Sequence, residues 1–254
     1  MTDIEQKYIE LSKDIVNILN DMQSNWNQYP DYLGWSDLNS PIIEYPDILF
    51  IGINPGPGRF VQWNWDNWDD NKKCLIDPLK KKIPVDYPTL WRSDIEWLKP
   101  NNARKDGEWW DSNKKKYNHY PYYMCELLVR IYRHEYPYPS FSRKDLTTIF
   151  EKKVMVTNLY PVSTFDIRGL NNLIQQYGNK THIDVRDICY SHTTRLIELV
   201  KPNCVVLLGD TIHEELSSVL HNLRLPYYCI NRNYGWHSKE NIRSMADDIY
   251  KLMR

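Results

Sequence analysis

A chain of 254 residues, 42% hydrophobic and 26% charged, has the composition of an ordinary globular protein and the length of one domain with a sizeable insertion. Its formal net charge of −1 argues against a protein that binds nucleic acid tightly and without sequence preference. The five cysteines are scattered and form no Cys-x-x-Cys pair, which argues against a disulfide framework, a zinc site and an iron–sulfur cluster.

No apolar run approaches the roughly 20 residues of a membrane-spanning helix, and the N-terminus carries no signal-peptide core. We therefore expect a cytoplasmic protein without a membrane partner. We also expect a monomer. The chain has 10 Trp and 19 Tyr. Their side chains suit partly solvated grooves, where the aromatic rings stack on planar or ring-shaped ligands. A Tyr-rich core and surface would account for most of them equally well.

The first predicted element is an amphipathic helix, because apolar residues recur at spacings of three and four: Ile4, Tyr8, Leu11, Ile15, Leu19 and Met22. The first predicted strand is the apolar run from Asp47 to Ile53. It lies between Pro46 and the turn-forming Asn54-Pro55-Gly56. A run of this kind is typical of a strand that is buried on both faces of a parallel sheet.

The interval from about Phe60 to Arg143 fits no strand–helix alternation and is rich in Trp, Tyr, Asn, Lys and Pro. We interpret it as a long aromatic-rich insertion after the first strand, mostly irregular until a helix near Tyr122 to Arg133. Long excursions in a compact domain are usually functional or disordered, and so many aromatic residues argue against disorder.

Alternating strands and helices are predicted beyond the insertion. The strands are expected at Lys153–Leu159, Cys204–Leu208 and Pro226–Ile230. Helices are expected at about Asp184–Val200, at Ile212–Leu223 with Asp210 or Thr211 as its cap, and after Ser238, where Ile242, Met245, Ile249 and Leu252 share a face. This alternation predicts an α/β fold with a central four-stranded, mainly parallel sheet.

Polar loops follow three of the four predicted strands: Gly52–Gly58, Thr157–Pro161 and Asn233–Ser238. In an open parallel sheet the ligand crevice lies beyond the carboxyl ends of the strands. We therefore expect the three loops to converge on one crevice.

Gly52-Ile53-Asn54-Pro55-Gly56-Pro57 after a hydrophobic strand resembles the first motif of the uracil-DNA glycosylase superfamily, in the Asn-Pro-Gly form of its mismatch-specific and single-strand-selective branches. Thr157-Asn158-Leu159-Tyr160-Pro161 is similar to the second motif. His237-Ser238 stands where the family has a His-Pro-Ser loop, but here the Pro is missing. The resemblance extends from Asp47 to the C-terminus, without the insertion, and implies one three-layer α/β/α domain over residues 1–254.

The resemblance implies a DNA glycosylase that hydrolyses the base–sugar bond of uracil or a modified pyrimidine, including an enlarged or glycosylated base, in repair or in defence against foreign DNA. Asn54 and His237 would be catalytic: Asn54 would orient a water but cannot deprotonate it, and neutral His237 would hold the departing base anion. Substrate would be bound by Gly52, Ile53, Pro55, Gly56, Phe60, Trp65, Trp68, Asn158 and Ser238. No metal and no organic cofactor is expected.

Simpler interpretations stay open. Asn54-Pro55-Gly56 is also an ordinary turn, Asn158 a loop cap and His237 a surface histidine. His182, Asp184, Asp187 and His192 have the residue types of a metal site, but acidic residues at a helix N-terminus explain the two Asp more simply. The rival functions are a noncatalytic nucleic-acid-binding or nucleotide-binding protein on the same scaffold, favoured by the divergent His237 loop, and an N-glycosidase acting on free nucleosides.

Overall fold

The computed structural model describes residues 2–35, 38, 40–54, 61–62, 75–76, 104–105, 108–109, 119–135, 143–231 and 239–254. The helices are α1 (Asp3–Leu11), α2 (Lys13–Ser24), α3 (His119–Ile131), α4 (Arg143–Lys152), α5 (Ile167–Thr181), α6 (Val185–Val200), α7 (Asp210–Asn222) and α8 (Lys239–Leu252). The strands are β1 (Gly34–Trp35), β2 (Ile48–Gly52), β3 (Val61–Gln62), β4 (Leu75–Ile76), β5 (Arg104–Lys105), β6 (Glu108–Trp109), β7 (Val154–Asn158), β8 (Val162–Ser163), β9 (Cys204–Leu207) and β10 (Tyr227–Cys229).

In the described part of the chain, four strands form the main sheet in the order β10-β9-β2-β7. β9 pairs in parallel with β10 and with β2, with Ile48 opposite Cys204. β7 also runs parallel to β2, because the bonds from Ile48 N to Lys153 O and from Leu159 N to Gly52 O advance in the same direction along both strands. The predicted α/β class, the four strands and their parallel arrangement are confirmed.

Burial on both faces, predicted for the first strand, is confirmed for β2, whose residues Ile48–Ile51 are all buried. Ile48 and Phe50 point into one hydrophobic cluster, while Leu49 and Ile51 alternate to the other face. The cluster joins β2, β7 and β9 to α3, α4 and α8 through residues such as Leu128, Phe150 and Ile249. This face of the sheet is therefore a packed core.

The chain divides into two compact units. The first comprises Met1–Leu38, Gly52–Arg92 and Asn158–Val200, and the second comprises Asn39–Ile51, Ser93–Thr157 and Lys201–Arg254. In the first unit, α6 packs against α1, α2 and α5. In the second, α3 packs against α8, and α7 packs against β9 and β10. The terminal residues of β2 and β7 belong to the first unit.

Side chains near the helix starts satisfy backbone amides that have no partner within the helix. Thr2 and Glu5 form a capping box on α1, and Asp166 Oδ1 accepts a hydrogen bond from Gly169 N at the start of α5. Asp184 Oδ1 accepts from Asp187 N at the start of α6. Asp184 is thus a helix-capping acid, as the simpler interpretation expected.

Three sequence expectations need correction. The first predicted helix is two helices, α1 and α2, which meet at the buried Ser12. Neither Asp210 nor Thr211 caps α7: its N-cap is Gly209, which makes no side-chain bond and has φ of 124°, a conformation that only glycine adopts without strain. α4 and α5 are absent from the predicted elements, although Leu170, Leu173 and Tyr177 of α5 have helical spacing and are buried.

Most of the interval interpreted as an insertion, about Phe60 to Arg143, lies outside the described residues. Its described parts are two short antiparallel pairs, β3 with β4 and β5 with β6, and helix α3. The helix predicted near Tyr122 to Arg133 is confirmed, with bounds of His119–Ile131. No helix in the described ranges has the length and apolar character needed to cross a lipid bilayer.

The buried thiol of Cys204 in β9 makes the free energy of unfolding depend on pH in the alkaline range. Burial raises the pKa of this thiol from 9.0 to about 12. The folded protein therefore keeps a proton that the unfolded chain loses, so the contribution to stability is complete below pH 9 and is lost as pH rises toward 12. We expect the free energy of unfolding of Cys204→Ala to fall less steeply over this window than that of wild type, by up to about 1.4 kcal/mol per pH unit.

Urea denaturation at a series of pH values measures this slope. Val205→Ala is the matched control, because it removes a buried side chain from the same strand without removing an ionisable proton. Equal slopes in wild type and Cys204→Ala would contradict the assignment.

Candidate functional site

Backbone pairing between β2 and β7 continues beyond both strands. Leu159 N donates to Gly52 O at 2.8 Å, and Tyr160 N donates to Ile53 O at 2.9 Å. These bonds use the carbonyls of Gly52 and Ile53, both predicted site residues, to hold the two loops in register. The two loops therefore leave the sheet side by side, and Asn54 and Asn158 lie at neighbouring strand ends.

The side chain of Asn54 has a defined orientation. Its Nδ2 donates to Val162 O at 3.3 Å and to Thr164 Oγ1 at 3.0 Å. Because a backbone carbonyl can only accept, the amide nitrogen and not the oxygen must face Val162. The half-buried Asn54 therefore directs Oδ1, its only acceptor atom, away from these two partners.

Two elements hold the acceptors of Asn54 in place. Val162 lies on β8, which pairs antiparallel with β1 so that Trp35 is opposite Val162. The Thr164 hydroxyl donates to Asp166 O at 2.8 Å, and Asp166 caps α5. The candidate site thus extends from the β2 loop to a short ribbon and a helix N-terminus, all within the first unit.

Asn158 is the other predicted site residue with a polar side chain that the structure describes. Its side chain is 7% exposed, and its Nδ2 is buried without a hydrogen-bond partner among the described residues. Of the buried side-chain atoms in that condition within the described chain, this one alone lies on a strand of the sheet. A buried donor without a partner costs about 1–3 kcal/mol, so it needs an explanation such as a ligand that supplies the acceptor.

Tyr160, two residues after Asn158, is buried and anchors the same loop to α6. Arg186 donates from Nη1 to Tyr160 Oη at 3.3 Å and from Nη2 to Asn171 Oδ1 at 2.6 Å. The guanidinium carbon lies 5.8 Å from the centre of the Tyr160 ring, close enough for a cation–π contact. This clamp limits the movement of the loop that carries Asn158.

Seven of the predicted site residues lie outside the described residues: Pro55, Gly56, Phe60, Trp65, Trp68, His237 and Ser238.

The residues that the sequence offered as an alternative metal site make other interactions in the structure. His182 ends α5 in a left-handed conformation, and His192 is buried against the Tyr8 ring at 6.2 Å. The described chain brings together no group of three or more side chains suited to a metal ion.

Sequence reasoning missed Val162 and Thr164, the two acceptors for Asn54. They lie 108 and 110 residues beyond it, so no local spacing connects them. The available signal was the polar sequence Ser163-Thr164, which Phe165 separates from the helix cap Asp166.

No protein-family model matches the chain, and no curated protein matches it.

Replacing Asn158 with Leu should stabilise the protein. Leu has nearly the same shape, and it removes a buried donor that has no partner. We expect the free energy of unfolding to rise by about 1 kcal/mol.

Chemical denaturation measures the change in the free energy of unfolding. Ser40→Ala is the control, and its effect should have the opposite sign. Ser40 is buried, but its Oγ accepts from Val156 N at 2.9 Å. Its loss should therefore destabilise the fold. Destabilisation by Asn158→Leu as large as that by Ser40→Ala would show that Asn158 is a satisfied structural residue.

Asn54→Asp tests the orientation of the Asn54 amide. A carboxylate would place an oxygen against Val162 O, so the attractive contact there becomes repulsive, and Thr164 could bond the carboxylate only by withdrawing its proton from Asp166 O. We expect a loss of about 1–3 kcal/mol at neutral pH. The loss should shrink in acid, where the protonated carboxyl can donate, because a proton held more tightly by the folded state adds stability as pH falls.

Thermal unfolding at pH 7 and pH 4 checks this expectation. Asn171→Asp is the control, since Asn171 Oδ1 accepts from Arg186 and a carboxylate keeps that contact. If Asn54→Asp and Asn171→Asp behave alike, the amide of Asn54 faces the other way.

Proposed function

We propose that this protein is a DNA glycosylase and a divergent member of the uracil-DNA glycosylase superfamily, with the three-layer α/β/α domain of that superfamily. Its substrate would be uracil or a modified pyrimidine in DNA, and its reaction would be hydrolysis of the bond between base and sugar. The chemistry proposed needs water as the nucleophile and neither a metal nor an organic cofactor.

The buried amide of Asn158 carries the proposal. It offers an unpaired donor, Nδ2, at the carboxyl end of a parallel strand, where α/β sheets bind ligands. A pyrimidine turned out of the DNA stack presents carbonyl or ring-nitrogen acceptors that suit such a donor. The stability lost through the unpaired amide would then be recovered when the base binds.

Asn54 supports the same reaction. Its Nδ2 faces Val162 O and Thr164 Oγ1, so Oδ1 points away from these two groups, and in the proposal it accepts a hydrogen bond from a water molecule. The water oxygen would attack the anomeric carbon, and the base would leave with the electron pair of the broken bond. The water keeps one proton in the new hydroxyl group on the sugar and loses the other. An amide cannot take up this proton, so Asn54 only positions the water, the proton leaves to solvent, and the base anion takes up a proton from solvent.

His237 has the remaining role in the proposal, as a neutral donor that holds the negative charge of the departing base. This role rests on the resemblance of the His237-Ser238 loop to the third motif of the superfamily.

The direct test is base excision from oligonucleotides, single-stranded and double-stranded, that carry one uracil or one modified cytosine. Alkali then cleaves the strand wherever a base has been lost. We expect cleavage with at least one of these bases. Asn54→Ala should lower the rate by at least about 100-fold, and Asn222→Ala, which removes an exposed amide at the end of α7 and outside the site, should not.

Asn158→Asp separates recognition from catalysis. The change replaces a donor by an acceptor, so the profile of excised bases should shift or binding should be lost. An unchanged profile would remove Asn158 from base recognition. Absence of strand cleavage, together with hydrolysis of free nucleosides, would replace the DNA substrate by nucleosides. Binding of oligonucleotides without either reaction would identify a noncatalytic protein.

A further inference from the structure

The buried hydroxyl of Thr164 lies between Asn54 and the first turn of α5. Thr164 is 1% exposed. Its Oγ1 accepts from Asn54 Nδ2 at 3.0 Å and donates to Asp166 O at 2.8 Å. One hydroxyl therefore joins the loop after β2 to the N-terminus of a helix that follows it by more than 100 residues in the chain.

The direction of these bonds is fixed by the number of protons. A hydroxyl has one proton, and Thr164 gives it to the carbonyl of Asp166, so toward Asn54 it can only accept. Val162 O, the other partner of Asn54, is also an acceptor. Two acceptors thus surround the amide nitrogen of Asn54. A rotation that exchanged nitrogen and oxygen would lose the bond to Val162 O, and Thr164 could bond the amide oxygen only by withdrawing its proton from Asp166 O.

The N-terminal turn of α5 holds Thr164 in place. Asp166 Oδ1 accepts from Gly169 N at 2.8 Å. A Cβ added to Gly169 would lie 3.5 Å from the Cβ of Thr164 and 3.3 Å from Asp31 Oδ1, so a larger residue would crowd this turn. Thr164 is itself buried, which leaves its side chain little freedom.

We propose that Thr164 is a positioning residue that sets the amide of Asn54 so that its Oδ1 aligns the attacking water. This inference rests on the proposed function in one respect only, namely that Asn54 acts through Oδ1. A purely structural Thr164 would instead serve to satisfy the carbonyl of Asp166. That carbonyl, however, already accepts from Leu170 N at 3.1 Å in the first turn of α5.

Thr164→Val is the informative variant, because valine keeps the shape of threonine and removes the hydroxyl. The bond from Leu170 to Asp166 and the bond from Asn54 to Val162 remain, which favours folding of the variant. Thr164→Ser restores the hydroxyl and should rescue the effect. Thr193→Val is the matched control, since Thr193 is equally buried but its Oγ1 has no partner among the described residues.

Two measurements are needed. The first is the single-turnover rate of excision, together with the Kd, on whichever oligonucleotide of the panel the wild type cleaves. The second is the side-chain NH₂ signal of Asn54 in ¹⁵N-labelled protein, assigned through its disappearance in Asn54→Ala. We expect Thr164→Val to excise about 30- to 100-fold more slowly. Its Kd should stay within about twofold, and its Asn54 NH₂ signal should shift and exchange faster with solvent.

Thr164→Ser should stay within a few-fold of wild type in rate and keep the Asn54 signal, and Thr193→Val should change neither. If Thr164→Val excises at the wild-type rate while Asn54→Ala is inactive, the positioning role is overturned and the proposed function stands. If the wild type cleaves no oligonucleotide, the proposed function fails, and the NH₂ signal alone decides whether Thr164 orients Asn54. An unchanged signal in Thr164→Val overturns the inference in either case. Should Thr164→Val fail to fold, Thr164→Ala removes the same hydroxyl and is judged by the same two measurements.

Discussion

The backbone pairing of β2 with β7 is the constraint on which the candidate site depends. Its last two bonds, from Leu159 and Tyr160 to the carbonyls of Gly52 and Ile53, lie beyond the strands themselves. A shift of one residue in this register would turn Asn158 to the other face of the sheet. The side chains of both strands are buried on both faces of the sheet, so their packing opposes such a shift.

Asn158 shows the balance between stability and binding at this position. β7 is otherwise a buried strand of apolar residues and Thr157, and its last side chain places an amide donor without a partner in the interior. Proteins commonly retain such unfavourable polar groups where a ligand satisfies them, and the proposed extruded base presents acceptors of the required kind.

Asn54 illustrates a different use of hydrogen bonds. Asn54 lies after the end of β2, but the ribbon of β1 and β8 and the capped start of α5 determine its orientation. Both partners are acceptors, so they determine that the nitrogen of the amide, and not its oxygen, points toward them. A water-positioning residue needs this orientation more than it needs a shifted pKa, because an amide does not titrate.

The sequence by itself determined the four strands of the sheet and their parallel arrangement. It also placed Asn54 and Asn158 at the carboxyl ends of two of these strands. Burial on both faces leaves a continuous apolar run in the sequence, and turn-forming residues mark where each run ends. The two-residue strands β1 and β8 have no periodicity that sequence analysis can detect, and Gly209 caps α7 through its backbone conformation. Only the tertiary structure decided which groups hold Asn54, because hydrogen bonds across 108 and 110 residues depend on how distant segments fold together.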